Sequence, residues 1–495
     1  MKKHIPQNWL YLPIIILLIY FIIRLIDQSK LIFLFPLDFT NDYSSYMAQL
    51  FFLKECGFHA ACHYWYNGIT TFLLYPPGWM FFTYPIYILT NNVQISTFIS
   101  LILMFIISFV FIWIIGRNES FTKIERLAFF LFYFANAINI GNFIRLGRVT
   151  EMFAWMLFIA FAGFILWYKN HKIDKKFIFV SLIFGLITIS HQTTTLISSI
   201  LFLSLFLVKK SEEKIVIFGS FLISLLISSF WWIPYIKSVG ESSMLDYTFT
   251  KWLLDFSGDK ALLNNLATIL LSIILLTTFY FFWKSFNKNK RELIFFSPIL
   301  LMNLIFVSRI VIFIPVLRNV APDSFMMLFM FFSLYFFFKT DFDVYSKQLK
   351  KVILLGLVVF AIGNVFISLL FTPFFIGYTD YDYETLELVS DVEGRLAILN
   401  HPTSYIKAYY SLIPIKYNLP VVGGWSDATV SREYNLKWKS LEETLKSGRC
   451  DILEKDLEEL NVTYIISYDY SCENLNICNF KQLKTAGNGC LVGIN

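Results

Sequence analysis

Residues 93–116 read VQISTFISLILMFIISFVFIWIIG, 24 consecutive positions without a charge. As a helix, at 1.5 Å per residue, this block reaches ~36 Å and outspans a hydrocarbon core of ~30 Å. Comparable blocks recur along the 495-residue chain, which is 57% apolar, 19% aromatic and 15% charged. A soluble domain carries ~25% charged residues, so the composition points to a protein of the lipid bilayer. The net charge of +6 does not indicate nucleic acid, because the lysines lie in short loops between apolar blocks, where they set topology. The first block, residues 9–27, lacks a small-residue cleavage site and reads as an uncleaved first helix.

Four loops rich in Lys and Arg, 169–176, 209–214, 284–291 and 339–351, belong on the cytoplasmic side. They fix the parity of predicted helices at 150–168, 177–191, 193–208, 215–236, 264–285, 293–315, 322–338 and 350–372. Helices at 9–27, 93–116 and 126–144 complete a bundle of about eleven transmembrane helices. The N-terminus, with Lys2 and Lys3, is then cytoplasmic, and the tail from Pro373 is extracytoplasmic. Residues 77–90, PGWMFFTYPIYILT, would invert this order if they crossed. They are short and contain Pro85, so they read as a segment lying on the outer surface within one long outer loop, 28–92. Tyr43–Leu53 reads as a second, amphipathic surface helix of that loop.

After residue 372 the pattern changes to short alternating runs such as RLAIL and VTYIISY among charged helical stretches such as WKSLEETLKSG. The reading is mainly α: a membrane domain, 1–372, followed by a small α/β or α+β soluble domain, 373–495. All six cysteines, Cys56, Cys62, Cys450, Cys472, Cys478 and Cys490, fall in the two segments assigned to the outside. That distribution implies one disulfide in the first loop and up to two in the tail, with pairing open. Zinc held by Cys56, His59, Cys62 and His63 is the competing reading, weakened by crowding of the ligands.

The order of motifs resembles the GT-C glycosyltransferases, membrane enzymes that take a sugar from a polyprenyl-phosphate carrier and attach it to an acceptor on the non-cytoplasmic side. PLDFTNDYSSY opens the long outer loop with acidic residues, Asp38 and Asp42. YNGITTFLLYPPGWMFFTYPIYIL carries Gly68, Tyr75, Pro76 and Pro77 in the places of the family's surface-loop motif. IIGR ends the next helix, and FIRLGRVTEMFAW brings Glu151 to the second acidic position. ISHQTTTL, SSFWWIPYI and VLRNVAPDSFMM continue the likeness at later outer helix ends. Among the branches, the chain looks most like archaeal and bacterial proteins with an outer C-terminal domain. The resemblance implies a polyprenyl- or dolichyl-phosphate sugar as donor, an unidentified glycan, lipid or protein acceptor, and a possible Mg or Mn ion.

The residues make a physical case of their own, because the predicted topology gathers Asp42, Arg145, Arg148, Glu151, His191 and Arg318 at the outer face. A carboxylate partly withdrawn from water suits a general base, and Asp42 is the candidate, with Asp38 four residues away able to exchange roles with it. Arg145, Arg148 and Arg318 are candidates to pair with the departing phosphate. Glu151 could share a divalent cation with Asp42, orient the acceptor, or pair with Arg148 three residues earlier. His191, in a tight hairpin, serves as a cap or as a site residue. Trp231 and Trp232 read as interfacial anchors, and Arg309, inside LIFVSRIVIF, reads as an intramembrane arginine needing a buried partner or the carrier phosphate. Asn461-Val462-Thr463 forms a glycosylation sequon. Two further readings compete: a lipid or glycan transporter or flippase, which calls for polar or broken helices at mid-membrane, and an inactive envelope scaffold. No glycine fingerprint for a soluble nucleotide-sugar is present.

Overall fold

A computed structural model describes residues 8–33, 42–240, 248–342, 345–371, 378–402, 406–425 and 430–494. The chain is mainly helical. In order come α1 (Asn8–Phe33), α2 (Asp42–Glu55), the two-stranded hairpin β1 (Ala61–Cys62) and β2 (Ile69–Thr70), α3 (Gly78–Thr90), α4 (Val93–Asn118), α5 (Lys123–Phe134) and α6 (Ala137–Asn139). A π-helical turn, Ile140–Arg145, leads into α7 (Val149–Asn170), α8 (Ile178–Thr188), α9 (Gln192–Val208), α10 (Ser211–Ile227), α11 (Ser229–Val239), α12 (Gly258–Ser285), α13 (Lys290–Val307), α14 (Pro322–Lys339) and α15 (Lys347–Phe371).

Helix starts carry their chemical signatures. Thr122 and Glu125 form a capping box on α5, the Asn92 side chain caps α4, and Pro322 opens α14, where the missing N–H costs nothing.

Among the described residues five helices are long and apolar enough to cross a membrane, or up to seven when each bent pair counts as one span, so the chain is a multi-pass membrane protein. Helix α7 is the axis of the bundle, with 89% of its apolar window buried, whereas α15 is peripheral at 12%. The structure corrects several predicted spans. Residues 126–144 break after Phe134 with a 50° bend, and 215–236 break at Ser228 with a 71° bend. At the first break the Asn136 side chain accepts from the backbone N–H groups of Ile138 and Asn139, so a new helix start competes with continuation. The span 293–315 ends at Val307, and Arg309 lies beyond it in left-handed backbone, φ 66°. Its guanidinium donates to Asn265 Oδ1 at 3.2 Å and Thr268 Oγ1 at 3.1 Å on α12.

The basic loops gather at one end of the bundle. Lys169 pairs with Glu292 at 2.9 Å, Lys209 with Glu213 at 3.1 Å, and Lys339 with Glu119, while the Ile173 N–H donates to Glu213. Helix α7 carries the chain ~33 Å from that end to Val149 at the other.

The remaining elements are α16 (Asp380–Val389), β3 (Leu396–Ile398), α17 (Ile406–Tyr417), α18 (Arg432–Lys446), α19 (Cys450–Glu459), β4 (Tyr464–Tyr468), α20 (Tyr470–Ile477), β5 (Lys481–Ala486) and β6 (Gly489–Gly493). They build a four-stranded sheet in the order β3-β4-β6-β5, parallel between β3 and β4 and antiparallel elsewhere. The expected boundary at Pro373 lies outside the described residues. Three disulfides, Cys56–Cys62, Cys450–Cys478 and Cys472–Cys490, engage every cysteine, which replaces the zinc reading of the first loop.

One apolar core joins the first loop to the tail: Phe51, Phe52, Tyr64, Trp65 and Tyr66 pack with Leu388, Tyr409, Tyr410 and Ile466. Helix α2 is therefore no amphipathic surface helix. Every residue from Tyr43 to Leu53 is buried, because α17 covers the face that would otherwise meet solvent while α3 and α4 flank the others.

Candidate functional site

The site lies at the end of the bundle opposite the basic loops and is arranged around Arg148. Between the π-helical turn and α7 the chain reverses at Gly147, φ +71°, a conformation in which L side chains are strained. A Cβ there would lie 2.1 Å from the ring of Tyr43, whose hydroxyl donates to the Phe143 carbonyl at 2.9 Å. This close approach seats the first turn of α2 against the start of α7, which puts Asp42 beside Arg148.

Three carboxylates face the Arg148 guanidinium. Asp323, in the first turn of α14, is at 2.6 Å, Glu151 at 3.6 Å and Asp42 at 3.8 Å. Burial alone would lower the Arg148 pKa, and Asp323, Glu151 and Asp42 more than reverse it, so the guanidinium is held charged. Glu151, 2% exposed, also accepts from Ser324 Oγ at 3.0 Å and Trp155 Nε1 at 3.3 Å. Asp42 Oδ1 accepts from the indole N–H of Trp425 at 3.0 Å.

A chain of hydroxyls runs beside the carboxylates, Tyr46 to Tyr75 at 2.7 Å and Tyr75 to Thr150 at 2.8 Å. Burial pushes both tyrosines up, so both remain protonated. Trp231, 2% exposed, donates to the carbonyls of Phe72 and Tyr75 at 3.1 and 3.2 Å. It fixes the Tyr-Pro-Pro segment from inside the protein and is no interfacial anchor; Trp232 donates to the Leu225 carbonyl. Pro76 and Pro77 are buried, and Gly78 follows them so closely against Ser190 that a Cβ would sit 2.3 Å from its hydroxyl. Gly68, φ +124°, turns the β1–β2 hairpin.

His191 occupies the N-cap position of α9 without a side-chain bond to the helix backbone. Its Nδ1 meets Thr194 Oγ1 at 2.9 Å and Thr193 Oγ1 at 3.0 Å. Burial lowers its pKa, Glu151 and Asp323 raise it, and Arg148 lowers it, which places the ring within the electrostatic reach of the cluster. Arg145 is buried at the end of the π-helical turn. Arg318 is not brought to the cluster: its side chain is exposed, its carbonyl accepts from Thr250, and it forms no ion pair among the described residues. Asp38 lies outside the described residues.

The residues Asp42 and Glu151 do not fit a shared divalent cation as they stand. Both turn to the guanidinium, and among the described residues no trio of His, Cys, Asp or Glu is placed to hold a metal ion.

Sequence reasoning missed Asp323 and Trp425. Its place in the first turn of α14, like that of Glu151 in the first turn of α7, was the available signal for Asp323. Trp425 lay in a tail read as a separate domain.

Together the bundle, the first loop with its buried helices and the sheet-bearing tail form a fold shared with solved membrane glycosyltransferases. In particular, the chain is similar to the archaeal oligosaccharyltransferase AglB from Archaeoglobus fulgidus, solved with an inhibitory peptide and a dolichol-phosphate. That match has TM-score 0.56 at 12% identity and covers 94% of this chain and 71% of AglB. It is also similar to the arabinofuranosyltransferase AftD from Mycobacteria, with TM-score 0.60 at 11% identity over 100% of this chain and 40% of AftD. The chain thus spans about two-fifths of the mycobacterial enzyme. A further structure of the Archaeoglobus enzyme, in complex with Zn and sulfate, matches with TM-score 0.51 at 12% identity over 91% of this chain and 68% of that one. No protein-family model and no curated protein sequence matches the chain.

Proposed function

We propose that this protein is a glycosyltransferase that moves a sugar from a polyprenyl-phosphate-linked donor to an acceptor on the extracytoplasmic side of the membrane. The observation that carries the reading is the convergence of Asp42, Glu151 and Asp323 on Arg148, at the bundle end remote from the lysine loops. The dolichol-phosphate bound to AglB supports the choice of donor class. By the positive-inside rule the lysine loops are cytoplasmic, so the carboxylates and the tail from Pro373 are outside.

In this mechanism Asp42 takes the proton of the acceptor as it attacks the anomeric carbon, and the polyprenyl phosphate leaves with the bonding electrons. Asp42 is suited to this because its carboxylate is largely withdrawn from water and oriented by the Trp425 N–H on one oxygen and the Arg148 guanidinium 3.8 Å from the other. Arg148 is an orienting hub, since its guanidinium is engaged by three carboxylates. Stabilisation of the departing phosphate falls to Arg145, three residues before it. Glu151, fixed by Ser324 and Trp155, holds Arg148 in place.

The test is transfer from a panel of radiolabelled polyprenyl-phosphate sugars by the purified protein in nanodiscs, wild type against Asp42→Asn. Transfer lowered by about 10²–10⁴-fold in the variant, with carrier binding kept, is the expected result. Carrier binding without transfer by the wild type would turn the reading to a transporter or scaffold.

A further inference from the structure

Among the described residues, Trp425 is the tail residue that bonds Asp42. The first loop and the tail are locked together where the Val421 N–H donates to the Tyr64 carbonyl at 2.8 Å, Trp65 Nε1 donates to the Tyr410 carbonyl at 2.9 Å, and the Tyr64 hydroxyl donates to Asn418. Beyond Val422 the chain passes between two rings. A Cβ on Gly423 would fall 2.2 Å from the Tyr410 ring, and one on Gly424 2.4 Å from the Tyr66 ring. Two glycines in succession are what such a passage requires, and they deliver Trp425 to α2.

There the indole packs on Tyr46 and Tyr75, ring centroids 5.2 and 4.9 Å away, and donates its N–H to Asp42 Oδ1 at 3.0 Å. The opposite oxygen, Oδ2, faces Arg148. The N–H on one oxygen and the guanidinium facing the other together fix the plane of the carboxylate.

We infer that Trp425 is a positioning residue supplied by the tail, which holds the Asp42 carboxylate in the orientation and charge state that proton abstraction needs. The inference rests on the reading of Asp42 as the base. An N–H donated to a carboxylate favours its charged form, as does Arg148 from the start of α7; Tyr46 on the same helix and Tyr75 on the loop are neutral neighbours, and Glu151 and Asp323 lie across Arg148.

The substitution Trp425→Phe keeps a ring against Tyr46 and Tyr75 and removes only the donor. Its kcat falls about 10- to 100-fold with KM nearly unchanged, and the acid limb of the pH–rate profile moves to higher pH. A Trp425→Phe protein with wild-type kcat and pH profile, while Asp42→Asn is inactive, overturns the inference and leaves the base assignment standing. Transfer by Asp42→Asn at the wild-type rate overturns the base assignment, and the positioning role with it. A readout free of catalysis is the indole N–H resonance of Trp425 in 15N-Trp-labelled protein, assigned by its loss in Trp425→Phe. It moves on acidification in wild type and stays fixed in Asp42→Asn; a resonance indifferent to Asp42→Asn rules out the contact.

Discussion

Lys169, Lys209 and Lys339, at one end of the helix bundle, each meet a single carboxylate, whereas Arg148 at the other end is shared by three. One-to-one pairing neutralises charge locally and gives nothing further to do. Three carboxylates around one guanidinium leave negative charge in a place where Glu151 is 2% exposed, an arrangement that costs stability. The difference separates charges that fasten loops from charges kept for chemistry.

Four variants probe that contrast. The largest effect falls on Arg148→Met, which removes the cation from all three carboxylates and costs about 3–5 kcal/mol. Thermal unfolding in detergent measures it, and a loss under about 1 kcal/mol would mean the carboxylates do not depend on the guanidinium. Asp42→Asn comes next, lowering transfer by about 10²–10⁴-fold while the unfolding temperature stays within a few degrees. At the opposite end, Lys169→Met combined with Glu292→Leu removes both members of a buried pair and changes stability by about 1 kcal/mol or less, with transfer unaffected. A collapse of that double variant would erase the distinction between the two ends.

The smallest effect is the pH response of His191. Burial lowers its pKa from 6.5, so as pH falls through that value the unfolded chain takes up the proton before the folded one does. The His191 contribution is present above pH ~6.5 and is lost as pH falls toward the folded pKa. Unfolding temperatures from pH 8 to 5 should therefore fall less steeply in His191→Gln than in wild type, and a steeper fall would contradict the burial of a neutral ring.

The helices were legible wherever apolar blocks stood between charged loops: α4, α7, α9 and α14 begin and end within a few residues of their expected bounds. The breaks at Asn136 and Ser228 were hidden, because polar residues inside an apolar block bend the helix through local hydrogen bonds that hydropathy does not register. The helix end before Arg309 was hidden too, since left-handed backbone at a non-glycine residue has no compositional mark. Of the candidate site, Asp42, Glu151 and Arg148 were readable as charges at helix ends remote from the lysine loops. Asp323 and Trp425 join them through contacts across 175 and 383 residues of chain, a separation at which a single sequence carries no pairing information. The burial of α2 was likewise unreadable, because the surface that covers it is α17.

The 383-residue separation of Asp42 and Trp425 is also an interval of time. At ~5–20 residues per second, at least ~20 s of synthesis pass between the two residues. During that time α2 is threaded into place without α17 over it, and the sheet that carries the tail still lacks β4, β5 and β6. The nascent protein thus holds α1 to α15 before Trp425 closes on Asp42, and the order of synthesis keeps the site incomplete until the tail has followed the helix bundle.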